Sequence, residues 1–282
     1  MHNPRSRAMV WLFLGCVAFF VVTNGLASLL MFGPGPNRTI AMTLGPACTG
    51  MIGGQAAVHG IWCVFAPLHW AKRFFVGTTS AILLFGGLMV PPLLAGRVSH
   101  GDVADLAVPL LCLPLFLLAT QTPLWIMRIW FRWRIVHRDD AASGQFEPLR
   151  IGGLLIATAV IGMALAAARL SQSIGSSSGN DGIVWLVVAA LVIMVISGIT
   201  VLPAILAGLY ARRLPLALGL AFAPDAAIVV VYVALAVTLG GGRFEWELLI
   251  IMPVFAGGYF VTLTAPMLIA RRIGYRLLWG RG

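Results

Sequence analysis

Long apolar stretches separated by short polar segments make up most of the chain. A helix needs about 20 apolar residues to cross roughly 30 Å of hydrocarbon, so each such stretch is a candidate membrane span. Seven stretches qualify by length and composition: 8–32, 74–95, 103–127, 149–168, 183–210, 214–239 and 246–270. They predict an all-α protein built as a bundle of transmembrane helices.

One further segment, 40–67, is less apolar because several glycines, Pro46, Gln55 and His59 interrupt it. Hydropathy alone allows it to be a loop, a re-entrant segment or an eighth span. The small residues at Gly50 and Gly54, four positions apart, indicate close helix packing, which in lipid depends on small side chains.

The distribution of basic residues favours an eighth span. With the N-terminus in the cytoplasm and eight crossings, 15 of the 19 Lys and Arg residues fall in cytoplasmic segments. This is the bias that the positive-inside rule describes for short loops. The residues left outside are Arg38, Arg97, Arg169 and Arg243. We therefore predict one transmembrane domain over 1–282, with eight spans and both termini in the cytoplasm.

Composition agrees with lipid as the main solvent of the chain. Of its 282 residues, 60% are hydrophobic and 10% are charged, whereas soluble domains carry roughly 25% charged residues. These values exclude a soluble globular enzyme, a disordered chain and a coiled coil. The net charge of +10 suits anchoring at lipid headgroups. We expect no nucleic-acid partner, because almost no soluble surface is left to carry a basic face.

The first span shares features with a secretory signal peptide, namely a basic start, an apolar stretch and small residues at Gly25 and Ala27. The apolar run continues past these residues to Phe32. We favour a retained membrane anchor, with a cleaved signal peptide as the alternative.

Motifs for catalysis and nucleotide binding are missing from the sequence. It contains no phosphate-binding loop, no His-Glu-x-x-His pattern and no Gly-x-Ser-x-Gly elbow. The four cysteines lie in apolar stretches, and we interpret them as packing residues. We expect no cofactor and no metal site, and we favour a protein without enzymatic activity.

Asp225 is the only acidic residue in the interior of a predicted span, because Asp105 and Glu247 lie at the outer ends of theirs. An Asp near the centre of a transmembrane helix costs about 2.5–3.5 kcal/mol to insert, so it usually faces the bundle interior or a watery cavity. Pro224 precedes it and predicts a helix break that frees the carbonyl of Leu220. An acid at a helix break is typical of ion sites in transporters. The alternative is that Asp225 caps the helix that restarts after Pro224.

His59 and Gln55 are the second intramembrane candidates, four residues apart on one helical face. Counted from the cytoplasmic anchors Lys72 and Arg213, His59 and Asp225 lie at matching depths, roughly 18–20 Å from those charges. We therefore predict that His59 and Asp225 form one polar site in the bundle interior and titrate as a unit. The alternative is that His59 is a hydrogen-bonded interior histidine with no further role.

Aromatic and basic residues alternate in the cytoplasmic segment 128–138. We predict a helix that lies at, or emerges from, the membrane interface, with rings at headgroup level and guanidinium groups reaching outward. The predicted anchors are Arg128, Trp130, Arg132, Trp133 and Arg134. One interpretation is a functional contact with anionic lipid headgroups or with a partner. The alternative is an ordinary cytoplasmic anchor for the next span.

The segment 145–169 contains Phe146, Pro-Leu-Arg, two leucines, Ala-Thr-Ala-Val and an Ala-rich tail that ends at Arg169. It resembles a segment that recurs in uncharacterised multi-pass membrane proteins of bacteria. The resemblance covers about a tenth of the chain. It implies the bacterial inner membrane and carries over no catalytic residue.

Two functions are compatible with these features. The first is a small-solute or proton-coupled transporter, with Asp225 and His59 near the midplane. The second is a non-catalytic scaffold or subunit whose spans pack against membrane-protein partners. A cavity that reaches Asp225 would favour transport, whereas a carboxyl group sealed by protein partners would favour the structural role.

The eight-span topology is tested by placing single cysteines at Ser176 and near Gly282. The first position is predicted outside and the second in the cytoplasm, so an impermeant thiol reagent should label them from opposite sides of the membrane. Labelling of both from the same side would overturn the count of eight.

Overall fold

The computed structural model describes residues 4–31, 38–66, 70–94, 117, 119–138, 181–210, 213–239 and 246–278. Most of these residues are helical, which confirms the predicted class in its broad form. The helices are α1 (Pro4–Met31), α2 (Arg38–Phe65), α3 (Trp70–Leu94), α4 (119–130), α5 (Asp181–Ile205), α6 (Leu214–Leu239) and α7 (Trp246–Arg272). A π-helix, Leu206–Tyr210, extends α5 by one turn.

Four of the described helices are long and apolar enough to cross a membrane, which supports a membrane-embedded protein. Their apolar segments are Ala8–Leu29, Ala190–Tyr210, Leu214–Leu235 and Leu249–Arg272. A shorter apolar segment, Phe75–Pro91, lies within α3.

The region 40–67 is largely occupied by the 28-residue helix α2, which continues through Pro46. Its glycines and polar residues keep it outside the group of four strongly apolar helices. The predicted span at 149–168 and most of the span at 103–127 lie outside the described residues, as does the segment 145–169. The total of eight spans therefore stays a prediction.

The interface between α2 and α7 is the largest helix interface in the described part of the chain. Glycines bring the two backbones together. A Cβ atom on Gly54 would lie 2.7 Å from the carbonyl oxygen of Tyr259, and one on Gly50 would overlap the carbonyl group of Phe255. In the other direction, a Cβ atom on Gly258 would lie 2.6 Å from a carbonyl oxygen of α2. These contacts confirm the packing role predicted for Gly50 and Gly54.

Several helix termini meet at one end of the bundle, which we call the basic end because Arg73, Arg128 and Arg271 lie there. The carbonyl of Val64, near the C-terminus of α2, accepts hydrogen bonds from Arg73 (2.9 Å) and from Arg128. Arg271 donates to the carbonyl of Gly208 in the π-helix (3.4 Å). The last carbonyls of a helix lack intrahelical donors and attract cations, which explains these contacts.

A two-stranded antiparallel sheet lies at the basic end. Its strand β1 (Arg134–His137) follows α4 and pairs with β2 (Tyr275–Leu278), which follows α7. The prediction of an interfacial helix over 128–138 is therefore wrong beyond residue 130. Arg132, with a φ of 53°, has a left-handed conformation that a continuing helix does not permit.

An alternation of buried and accessible side chains accounts for the strands. Trp133 and Ile135 are buried on one side of the sheet, as are Tyr275 and Leu277 on the partner strand, whereas Arg276 is exposed. A period of two is the pattern of a strand with one buried face. All four side chains belong to the main hydrophobic core of the described residues. Burying them stabilises the strand more than an interfacial helix, which the aromatic and basic neighbours suggest, would be stabilised.

Substituting alanine for Gly54 or Gly258 should destabilise the bundle, because the added methyl group meets a backbone carbonyl that cannot move aside. We expect a loss of about 1–3 kcal/mol for each change, typical of overpacking. Thermal unfolding of the purified protein should show a lower Tm. The matched control is Gly15→Ala on α1, where a Cβ atom meets nothing within 4 Å. Equal Tm values for all three variants would contradict the close packing of α2 against α7.

Candidate functional site

A cavity of about 540 Å³ lies between α2, α4, α5, α6 and α7. Small-molecule sites in proteins typically measure about 300–1,000 Å³, so the space is large enough for a solute. Its wall is mostly apolar and includes the aromatic residues Tyr232, Phe255 and Tyr259. Gly53, from the glycine-rich face of α2, also lines the cavity, and a Cβ atom there would lie 3.2 Å from the ring of Tyr259.

Asp225 is the acidic residue of this cavity, and no other acid is among the described residues that line it. The side chain is only 5% exposed. Its Oδ2 atom is buried and has no hydrogen-bond partner in the described part of the chain. A buried polar atom without a partner costs free energy, and a buried charge costs much more. Asp225 is therefore a buried carboxyl group in the cavity wall that lacks a hydrogen-bond partner for one of its oxygen atoms.

Four hydroxyl groups of the cavity wall, those of Thr120, Ser197, Thr200 and Tyr259, already donate elsewhere. Thr120 donates to a carbonyl one turn earlier (2.8 Å), and Ser197 donates to the carbonyl of Thr120 (3.0 Å). Thr200 donates to the carbonyl of Ile196 (3.0 Å) and lies 2.8 Å from the hydroxyl oxygen of Tyr259. Because the proton of Thr200 is used, Tyr259 is the donor in that contact. These four hydroxyl protons are therefore not available to Asp225.

Pro224 does not break its helix. The α6 helix runs from Leu214 to Leu239 with Pro224 inside it. The predicted interruption is therefore wrong, since the missing N–H of Pro224 is tolerated within one turn of an otherwise continuous helix. Asp225 consequently lies in the middle of α6 and is not the cap of a restarting helix.

His59 does not share the cavity with Asp225. Its Nε2 atom lies 2.7 Å from the carbonyl oxygen of Gly77 on α3, so this nitrogen carries the proton and donates it. His59 is absent from the cavity wall, to which α2 contributes Gly53 and Ala57. The predicted pairing of His59 with Asp225 is thus not formed, because matching depth along two helices does not fix the direction in which the side chains point.

Gln55 belongs to the same side of α2 as His59, where it bonds to α1. Its amide and that of Asn24 form two reciprocal hydrogen bonds, of 2.8 and 2.9 Å, and both side chains are buried. Asn24 also donates to the carbonyl of Leu84 on α3 (3.3 Å). Sequence reasoning missed Asn24, although an Asn inside an apolar span signals an interhelical hydrogen bond. Gln55, His59 and Asn24 therefore connect α1, α2 and α3.

The five predicted interfacial anchors lie in three different settings. Trp130 and Arg132 are exposed at the basic end, as an anchor requires. Arg128 instead bonds to the carbonyl of Val64, and Trp133 is buried in the main core. Arg134 lies in β1, opposite Leu278.

A second cavity, of about 480 Å³, lies at the basic end beside the sheet. Arg138, Arg271, Arg272 and Arg276 line it, and Tyr210 is among its apolar and aromatic neighbours. No acidic residue lines this cavity among those that the structure describes. The four guanidinium groups repel one another at close range, and a bound anion would relieve this repulsion, so the site favours an anion.

The amide pair can be tested with Asn24→Leu and Gln55→Met. Each single change leaves the other buried amide without this partner and should cost about 1–3 kcal/mol, whereas the double change removes both polar groups. Thermal unfolding should show that the double variant loses clearly less than the sum of the single losses. Simple additivity would contradict a direct bond between the two amides.

No protein-family model, curated protein or solved structure matches the chain. Among the residues that the structure describes, no group of three or more His, Cys, Asp or Glu side chains is arranged to hold a metal ion. The two cavities and the carboxyl group of Asp225 are therefore the features of the described residues that bear on function.

Proposed function

We propose that the chain is an integral membrane protein that carries a small solute across the membrane, and that the cavity beside Asp225 is the solute site. The main observation behind the proposal is that Asp225 lies in the wall of this cavity, with a buried Oδ2 atom that has no donor among the described residues. Acidic residues in membrane helices are rare and usually mark the path of a substrate or proton.

A purely structural Asp225 would have a different environment. A buried carboxyl group that holds helices together is normally surrounded by donors, as the amides of Asn24 and Gln55 surround each other. The wall around Asp225 is instead apolar, and the nearby hydroxyl groups of Thr200 and Tyr259 donate elsewhere. Burying such a carboxyl group costs free energy, and this cost is explained if a proton or a solute binds to it during the transport cycle.

We propose eight spans, with the basic end on the cytoplasmic side of a bacterial inner membrane. The clusters of arginine at that end support this orientation through the positive-inside rule. The resemblance of the segment 145–169 to bacterial multi-pass proteins supports the choice of membrane.

We also propose that anionic lipid headgroups bind at the second cavity. Arg138, Arg271, Arg272 and Arg276 supply the positive charge there, and Leu277 and Leu278 supply an apolar side. The phosphate group of a lipid would pair with the arginines, and its acyl chains would contact the leucines. The exposed rings and guanidinium groups of Trp130 and Arg132 lie at the same end of the bundle and suit the headgroup layer.

Solvent access to the cavity separates transport from the scaffold alternative. In a variant without the native cysteines, Ser197→Cys places a thiol on the cavity wall with little change in size. A small impermeant thiol reagent should modify it in sealed vesicles, because a transport pathway must open to water. Val230→Cys is the control, since Val230 is exposed on the apolar outer face of α6, where lipid excludes water.

Two results would contradict the transport proposal. The first is a Ser197→Cys thiol that stays unmodified from both sides of the membrane yet reacts once the protein is unfolded. The second is equal modification of Ser197→Cys and Val230→Cys, which would show that the reagent reaches the thiols through lipid and not through a cavity.

A further inference from the structure

We propose that the solute of this cavity is a lipophilic organic cation, a molecule with one positive charge on a bulky apolar body. The inference rests on the proposed transport function and adds the chemical class of the substrate. It follows from the charges, the hydrogen-bonding groups and the shape of the cavity.

The charge of the solute follows from what the cavity wall contains. Asp225 contributes a carboxyl group, and none of the described lining residues is Lys, Arg or His. An anion or a zwitterion would therefore leave a negative group in an apolar site without a partner, which is strongly unfavourable. A cation instead supplies the positive charge that an ionised Asp225 carboxylate needs as a partner in this apolar site.

The apolar character of the solute is inferred from the hydroxyl groups and the aromatic rings of the cavity wall. Thr120, Ser197, Thr200 and Tyr259 use their hydroxyl protons within the protein, so they do not favour a sugar or another polyol. A hard metal cation needs about six oxygen ligands, which a mostly apolar wall does not offer. The rings that line the cavity can instead contact an organic cation through their faces.

The same carboxyl group couples the cation to a proton. Asp225 can hold a proton or pair with the cation, and the two states exclude each other because the cavity offers no second acid among its described residues. The other titratable groups in the wall are Tyr232 on α6 and Tyr259 on α7, and the described lining residues of α2, α4 and α5 contribute none. Entry of one cation should therefore release one proton, which is the exchange that a proton-coupled antiporter needs.

The test uses the full-length protein in lipid nanodiscs and radiolabelled tetraphenylphosphonium, a bulky apolar cation without a hydrogen-bond donor. We expect saturable binding that weakens as the pH falls. Asp225→Asn should weaken binding about tenfold to a hundredfold and remove its pH dependence, as expected when one partner of a buried charge pair is removed. Asp225→Glu should retain pH-dependent binding. Glu247→Gln is the matched control, because it removes one acid from α7 outside the cavity wall, and it should bind as the wild type does.

The outcomes distinguish the substrate class from the transport function. Unchanged binding by Asp225→Asn with a wild-type Tm overturns the inference. Displacement of the probe by a neutral apolar analogue as effectively as by a second cation also overturns it. If the variant fails to fold, loss of pH-dependent binding in Asp225→Glu overturns it instead. A cation that binds through Asp225 but does not cross the membrane of proteoliposomes supports the site and contradicts the transport function.

Discussion

The close approach of α2 and α7 is the contact on which the rest of the structure depends. Without side chains at Gly50, Gly54 and Gly258, the two backbones meet at carbonyl groups. Apolar surface alone drives little association between helices in lipid, so this shape complementarity carries much of the stability. It also fixes which face of α2 borders the cavity and which face is directed toward α1 and α3.

That orientation divides the polar residues between two environments. On one face, Gln55 and His59 form hydrogen bonds to α1 and α3 and so stabilise the packing of α1, α2 and α3. On the other face, Gly53 and Ala57 border an apolar space that contains Asp225. Satisfied polar groups hold helices together, whereas an unsatisfied carboxyl group beside a cavity is suited to binding and release. Under the transport proposal, this division separates the residues that stabilise the bundle from the residue that binds the solute.

The sequence predicted the features that depend on period and composition. Apolar length predicted the helices, and the glycine spacing predicted the close packing at Gly54. It failed where tertiary contacts decide: His59 and Asp225 have matching depth, but the rotation of their helices directs them to different neighbours. Pro224 suggested a break that the packed helix does not show. The strand at Ile135 was missed because its aromatic and basic neighbours resemble an interfacial helix, although the alternation of burial is a strand signal.

Transport through this site requires that water reaches the carboxyl group of Asp225 from the cavity and that the group is not sealed in the protein. Infrared spectroscopy tests it directly, through the carbonyl stretch of the protonated carboxylic acid at low pH, assigned by its loss in Asp225→Asn. After transfer to D₂O this band should shift promptly, because water in the cavity exchanges the acid proton. A band that stays unshifted while exposed amides exchange would contradict the account and would make Asp225 a buried structural residue.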